Sequence, residues 1–179
     1  MKVLAVSGSL RAGSHNTRLL EEAAAAAPDG VEVELFDPAR VAALPLYDQD
    51  LDDEVAPASV RELREAWAGA DAILFATPEY NGSIPGGLKN AIDWASRPKL
   101  DPALRNQTVA VIGASTGQFG AMWAQQDLKK VLGIAGARAV GDPVPVARAH
   151  EGFPEQLHEQ LRGVLQRLVE ATELEAVAA

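Results

Sequence analysis

The feature that most limits what this chain can fold into is a strict alternation of two hydrophobic periods. Short, uninterrupted apolar runs recur between longer segments whose apolar residues fall three and four apart. Lys2–Val6, Ala70–Thr77 and Gln107–Ile112 read as short buried strands, and Val31–Phe36, where apolar and acidic residues alternate, as an edge or half-exposed strand. Thr17–Ala27, Ser59–Ala68, Pro85–Ala95, Phe119–Leu132 and Pro154–Ala176 read as helices, the first with Leu19, Leu20, Ala23, Ala24 and Ala27 on one face and Pro28-Asp29-Gly30 after it. Arg138–Val140, or the proline-broken Val144–Val146, supplies a last strand.

Buried strands separated by helices imply a parallel sheet covered on both faces. Right-handed crossovers leave chiefly doubly wound topologies. Five strands fit the flavodoxin-like order 2-1-3-4-5 better than a six-stranded dinucleotide fold. The expected architecture is therefore an α/β, doubly wound, five-stranded parallel sheet, formed as one domain over residues 1–179. Sixteen Lys and Arg against 25 Asp and Glu leave a net charge of −9, which argues against nucleic-acid or anionic-membrane partners. No apolar run is long enough to span a bilayer. The absence of cysteine excludes disulfides, thiolate metal sites and Cys nucleophiles. A cytoplasmic protein is the expectation. The long segment Asp37–Pro57 reads as a functional loop or a solvated one, and its acidic cluster Asp48–Glu54 as solvated surface rather than a calcium loop.

In an open parallel sheet, ligands bind outside the carboxyl ends of the strands. Three strands here lead into loops of unusual chemistry. Gly8-Ser9-Leu10-Arg11-Ala12-Gly13-Ser14-His15-Asn16-Thr17 places hydroxyls, an amide and a guanidinium before a helix N-terminus, where unpaired N–H groups favour an anion. Ser9, Ser14, Asn16 and Thr17 can donate to oxygen and Arg11 can add a charged fork. A simple capping loop, with Ser14 or Asn16 as N-cap, is the other reading. It is not a P-loop, because Ser14-His15 stands where Lys and Ser or Thr are required. The second, Thr77 to Trp94, is stiffened by Pro78 and Pro85; Tyr80 and Asn81 could meet a flat heterocycle. The third, Gly113-Ala114-Ser115-Thr116-Gly117-Gln118-Phe119-Gly120, again allows close backbone approach. A phosphate cradle beside two loops that hold a planar ring amounts to a mononucleotide site, with FMN the natural occupant.

At this point the residues are recognisable. Gly8 to Asn16 resembles the G-S-L-R-x-G-S-x-N loop of the NADPH-dependent FMN reductase family, whose members include quinone, azo-dye and chromate reductases. Pro78 to Trp94 resembles that family's second signature, and Leu44-Pro45-Leu46-Tyr47-Asp48-Gln49-Asp50-Leu51 resembles the segment between the two. The resemblance implies that Arg11, Ser14, His15 (through its backbone), Asn16 and Thr17 hold the FMN phosphate with Ser9 beside them. It implies that Pro78, Glu79, Tyr80 and Asn81 border the ribityl and isoalloxazine, and that Ser115 contacts the flavin. It also implies NADPH or NADH as hydride donor, a small acceptor such as a quinone, free flavin, azo dye or chromate, and a homodimer or homotetramer. Where many members carry Gly-Gly and an Arg after the third loop, this chain has Ala121-Met122-Trp123.

The cofactor carries the redox chemistry, so no catalytic acid, base or nucleophile is assigned. A shared stacking site for donor and acceptor predicts ping-pong kinetics. Two other readings follow from the residues. Gly113-Ala114-Ser115-Thr116-Gly117 satisfies the G-x-S-x-G of serine hydrolases, with Asp127 or Asp142 and His150 or His158 in the required chain order. A non-enzymatic FMN electron carrier is the second, disfavoured by Arg11 in the phosphate loop. The three histidines, His15, His150 and His158, show no metal-ligand spacing. Trp67, Trp94 and Trp123 are expected in core or interface packing.

Overall fold

The computed structural model describes residues 1–52 and 56–178. Its centre is a parallel sheet in the order β2-β1-β3-β4-β5, built from β1 (Lys2–Ser7), β2 (Glu32–Phe36), β3 (Ala72–Ala76), β4 (Thr108–Ala114) and β5 (Arg138–Ala139). The alternating order expected from the sequence is therefore present. β1, β3 and β4 are the apolar runs and lie in the middle, whereas β2, whose apolar and acidic residues alternate, is an edge.

Both candidates for the last strand form, and they share one edge. β5 pairs with Thr108 and Val109 at the start of β4, and β6 (Val144–Val146) pairs with Ile112, Gly113 and Ala114 at its end. Gly141, at a φ of +66°, and the prolines around it break what would otherwise be one strand. Pro145 is tolerated because the position is an edge.

The helices are α1 (His15–Ala25), α2 (Pro38–Ala42), α3 (Ala58–Ala68), α4 (Gly86–Ala95), α5 (Met122–Ile134) and α6 (Leu157–Ala178). α1 and α6 cover one face through Leu19, Leu20, Leu161 and Leu165. The others cover the opposite face through Val41, Val60, Trp67, Leu88, Trp94 and Leu128. Trp67 meets Phe75 edge-on at 5.2 Å between ring centres. Truncating a buried aromatic of this kind costs about 3–5 kcal/mol. α3 starts after Pro57 without a side-chain cap. Among the described residues no helix is long and apolar enough to cross a membrane.

The segment between β2 and α3 is not a free loop. Asp37 caps α2, Asp48 caps a short 3-10 turn (Gln49–Leu51), and Asn90 of α4 grips the stretch between them. Asn90 Oδ1 accepts from Tyr47 N–H, and Asn90 Nδ2 and Trp94 Nε1 both donate to the Pro45 carbonyl, each at 2.8 Å. Of the acidic run 48–54, Asp53 and Glu54 lie outside the described residues. Asp52 corrects the solvated reading: its carboxylate is only 6% exposed and pairs with Arg64 at 2.6 Å. Paired burial of this kind is tolerated because the guanidinium satisfies the carboxylate.

Candidate functional site

The carboxyl ends of β1, β3 and β4 converge on a cleft of about 190 Å³. It is lined by Ser9, Arg11, Ser14, His15, Asn16, Pro78, Glu79, Tyr80, Ala114, Ser115 and Thr116. Of the residues singled out from the sequence, all but Thr17 and Asn81 face it. Larger surface hollows exist elsewhere, but they draw on none of the three loops together.

The first loop is anchored from below. Ser7 Oγ donates to the Ser9 carbonyl at 3.2 Å and accepts from the Thr17 hydroxyl at 3.0 Å. Thr17 is thus committed to the loop's footing rather than to the cleft. Gly13, at a φ of +66°, turns the chain into α1. Ser14 is the N-cap, its Oγ accepting from Asn16 N–H at 3.1 Å and Thr17 N–H at 3.3 Å. The capping reading holds, with Ser14 as the N-cap. Among the described residues nothing accepts from the N–H groups of Leu10, Arg11, Ala12, Gly13, Ser14 or His15. Of these residues Arg11, Ser14 and His15 line the cleft, and free donors ahead of a helix beside a guanidinium can hold an anion.

Asn16 does a different task from the one expected of it. Its side chain is buried and closes on Ala114 at the end of β4, tying the first loop to the third. His15 lines the cleft with Nδ1 sealed from solvent and without a partner. Burial first, and then the charges of Arg11, Arg18 and His150, hold its imidazole below the usual histidine range.

In the second loop, Tyr80 and Ser83 exchange backbone hydrogen bonds at 3.0 and 3.1 Å around Asn81 and Gly82, which have φ values of +55° and +74°. This is a two-residue turn of the kind Asn-Gly favours. Asn81 therefore sits at a turn tip outside the cleft. Tyr80 stays half-exposed at the rim. Glu79 reaches across to α5, Oε2 accepting the Ala124 N–H at 3.1 Å, which satisfies an orphan donor of that helix start. Ser83 adds a second tie to α5, donating to Asp127 at 2.5 Å.

The third loop is strapped by residues that carried no motif. Ser115 N–H donates to the Val146 carbonyl, Ala149 N–H to Ser115, and Arg148 N–H to Gly117, each at 3.0 Å. Sequence reasoning missed this strap, as it missed Ser7. No residue type in it is distinctive, because it works through backbone groups. The Ser115 hydroxyl accepts from Gly117 N–H at 3.0 Å. Asp127 is bonded to Ser83, and His158 lies 2.7 Å from Glu22. Two of the four groups a hydrolase could use beside Ser115, Asp127 and His158, are thus engaged elsewhere.

The cleft can hold an anion beside Arg11 and a planar ring between Tyr80 and the third loop. Its volume lies below the range usual for a whole drug-sized ligand, which suits a site that encloses the charged tail and leaves the ring accessible.

Comparison with known proteins agrees with this geometry. The chain is 41% identical over 178 residues to an NAD(P)H-dependent FMN reductase of Pseudomonas aeruginosa, covering 97% of this chain and 94% of that protein. It is 38% identical over 144 residues to a quinone reductase of Escherichia coli, covering 80% and 75% respectively. Among solved structures, the flavoenzyme NAD(P)H:(acceptor) oxidoreductase FerB of Paracoccus denitrificans superimposes with a TM-score of 0.81 at 35% identity, covering 96% of this chain and 97% of that one. The model of the NADPH-dependent FMN reductase family matches residues 1–151. That match contains all three cleft loops and the strap behind them, and the chain belongs to the NADPH-dependent FMN reductase family.

Proposed function

We propose that this protein is an FMN-dependent NAD(P)H oxidoreductase that delivers electrons from NADPH or NADH to a quinone-like or other small acceptor by a ping-pong sequence. The observation that carries the reading is the set of unpartnered N–H groups leading into α1, of which those of Arg11, Ser14 and His15 belong to residues lining the same cleft as the second and third loops.

The residues present fit FMN. Its phosphate matches a helix-start cradle with Arg11 beside it, and that tail needs no metal. Ser14, Thr17 and Ser7 contribute by fixing the direction of the donors, through the cap and the footing described above. Bound FMN would supply the capacity to take up hydride and release two electrons. The protein supplies placement. Asn16 holds the third loop at a set distance from the first, Pro78 stiffens the wall of the ring site, and Tyr80 borders its open side. One stacking site used by donor and acceptor in turn is the basis for ping-pong kinetics. The family resemblance further supports one cytoplasmic FMN domain that assembles as a homodimer or homotetramer.

The test is rapid mixing of the purified, FMN-loaded protein with excess NADPH or NADH under anaerobic conditions. Loss of the flavin absorbance with either nucleotide supports the reading, and parallel double-reciprocal plots with a quinone support the ping-pong order. Protein that binds no FMN, or whose flavin neither nucleotide bleaches, overturns it.

A further inference from the structure

We infer that Asp127 is a positioning residue of the flavin site: by holding the Ser83 hydroxyl, it fixes the turn that places Tyr80 at the edge of the cleft. The inference rests on the flavin-reductase reading and assigns a residue of α5 to the ring side of the same site.

Neither Asp127 nor Ser83 lines the cleft, whereas Glu79 and Tyr80 do. An effect of the pair on a ligand therefore passes through Tyr80. The turn that carries Tyr80 is a minimal one. Tyr80 and Ser83 bond each other in both directions, as an isolated antiparallel pair outside the strands of the sheet. A hairpin of this size does not hold its shape in water by itself. Tyr80 is 53% exposed, so packing around its ring does not fix it either.

α5 supplies the missing support twice. Ser83 Oγ donates to Asp127 Oδ2 at 2.5 Å, and Glu79 Oε2 accepts from Ala124 N–H at 3.1 Å. Ala124 and Asp127 are three apart, so both contacts fall on one face of the helix. The exchange is reciprocal. α5 starts without a side-chain cap of its own, and Glu79 serves its N-terminal end while Asp127 holds the loop. Tyr80 sits between the two ties, next to Glu79 in sequence and opposite Ser83 in the turn. A hydroxyl on a carboxylate is a charge-assisted bond, and this one is partly buried, where water competes less. The wall of the ring site is thus set before a ligand arrives, and binding carries no cost for ordering it.

The experiment compares wild type with Asp127→Ala, Asp127→Asn, Ser83→Ala, Tyr80→Leu and the double variant Asp127→Ala/Tyr80→Leu. FMN is titrated into each apoprotein. Asp127→Ala and Ser83→Ala should each weaken FMN binding about tenfold. Asp127→Asn keeps an oxygen that accepts from Ser83 and should stay within about threefold of wild type. In the Tyr80→Leu background, Asp127→Ala should add little, because the residue it positions is gone. The second readout is the emission of the bound flavin. A tyrosine against the ring quenches it by giving an electron to the excited state. Emission should rise in Tyr80→Leu, rise partway in Asp127→Ala and Ser83→Ala, and stay at the wild-type level in Asp127→Asn. Ser83→Ala, which removes a single oxygen atom, carries the same test should Asp127→Ala not fold. Wild-type affinity and emission in Ser83→Ala overturn the proposal, even where its unfolding midpoint is lowered, since the tie would then serve the fold alone. A full tenfold loss that persists in the Tyr80→Leu background also overturns it, as does emission that Tyr80→Leu leaves unchanged. Wild-type protein that binds no FMN overturns the flavin reading and this proposal with it, whereas the other adverse results overturn this proposal alone.

Discussion

The side-chain amide of Asn16 satisfies both backbone groups of Ala114: Nδ2 donates to the carbonyl and Oδ1 accepts from the N–H, each at 2.9 Å. The bond pair spans 98 positions of sequence and joins the helix that follows the first loop to the strand that leads into the third. Both partners are buried. Removing the amide would leave two buried backbone groups unpaired, at about 1–3 kcal/mol each before any relaxation. Asn16→Ala should therefore lower the thermal midpoint by roughly 4–24 °C, taking about 2–4 °C per kcal/mol for a chain of this size. Asn16→Asp should be nearly as damaging, because a carboxylate faces the Ala114 carbonyl. Calorimetry on the apoprotein, with no flavin present, separates this effect from loss of ligand.

A similar clamp governs the segment after β2. Asn90→Ala would delete the bonds to Tyr47 and Pro45 and leave only Trp94 Nε1 on that carbonyl. Tyr47 would still lie edge-on to Trp94 at 4.9 Å, so the core should survive. The expected outcome is local: faster cleavage between residues 43 and 52 under limited proteolysis, with the unfolding midpoint lowered by about 1–2 kcal/mol equivalent. Cleavage rates equal to wild type would show that the clamp does not hold this segment.

These clamps mark where the sequence was legible and where it was not. The sheet order followed from apolar runs and helical spacing, because buried strands and amphipathic helices announce themselves locally. The cleft was legible because glycines, hydroxyls and prolines cluster after three strands. The tasks within it were less so. Asn16 and Glu79 looked like ligand groups, yet each also holds another element of the fold, the one at Ala114, the other at the start of α5. A polar residue in a loop shows its capacity to bond but not which partner folding will bring to it. The split last strand was undecided because Arg138–Ala139 and Val144–Val146 are each too short to carry a period. Tertiary pairing with successive halves of β4 selected both.

His15 gives a pH signature. Its folded-state pKa is lowered, so between that value and the unfolded value near 6.5 the unfolded chain binds more protons. Stability therefore rises with pH in that window. On acidification, stability is lost as pH falls through about 6.5, and the loss levels off below the folded pKa. His15→Gln removes this contribution. Urea midpoints measured from pH 5 to 7.5 should fall less steeply on the acid side for the variant than for wild type. Parallel profiles would show that the sealed Nδ1 and the neighbouring cations do not act on His15 in solution.

Gly120 closes the third loop against β6. At a φ of +58° an alanine would already be strained, and its Cβ would come within 2.6 Å of Pro145 C and Val146 N and 2.8 Å of Val146 C. These are backbone atoms of a paired strand, so no side chain can swing away to make room. The loop or the strand must move, and Ser115, whose N–H is bonded to the Val146 carbonyl, moves with them. Gln125 is affected too, because its buried Nε2 donates to the Gly120 carbonyl at 2.9 Å. Strain plus lost packing places Gly120→Ala in the range of about 3–5 kcal/mol. Gly117→Ala is a useful contrast, since there the added carbon would meet only the Ser115 hydroxyl, at 3.3 Å. Denaturant unfolding of the two variants should show a large loss for Gly120→Ala and a small one for Gly117→Ala. FMN affinity should fall in the same order if the third loop borders the flavin. Equal stabilities would mean that β6 yields more readily than its pairing with β4 suggests.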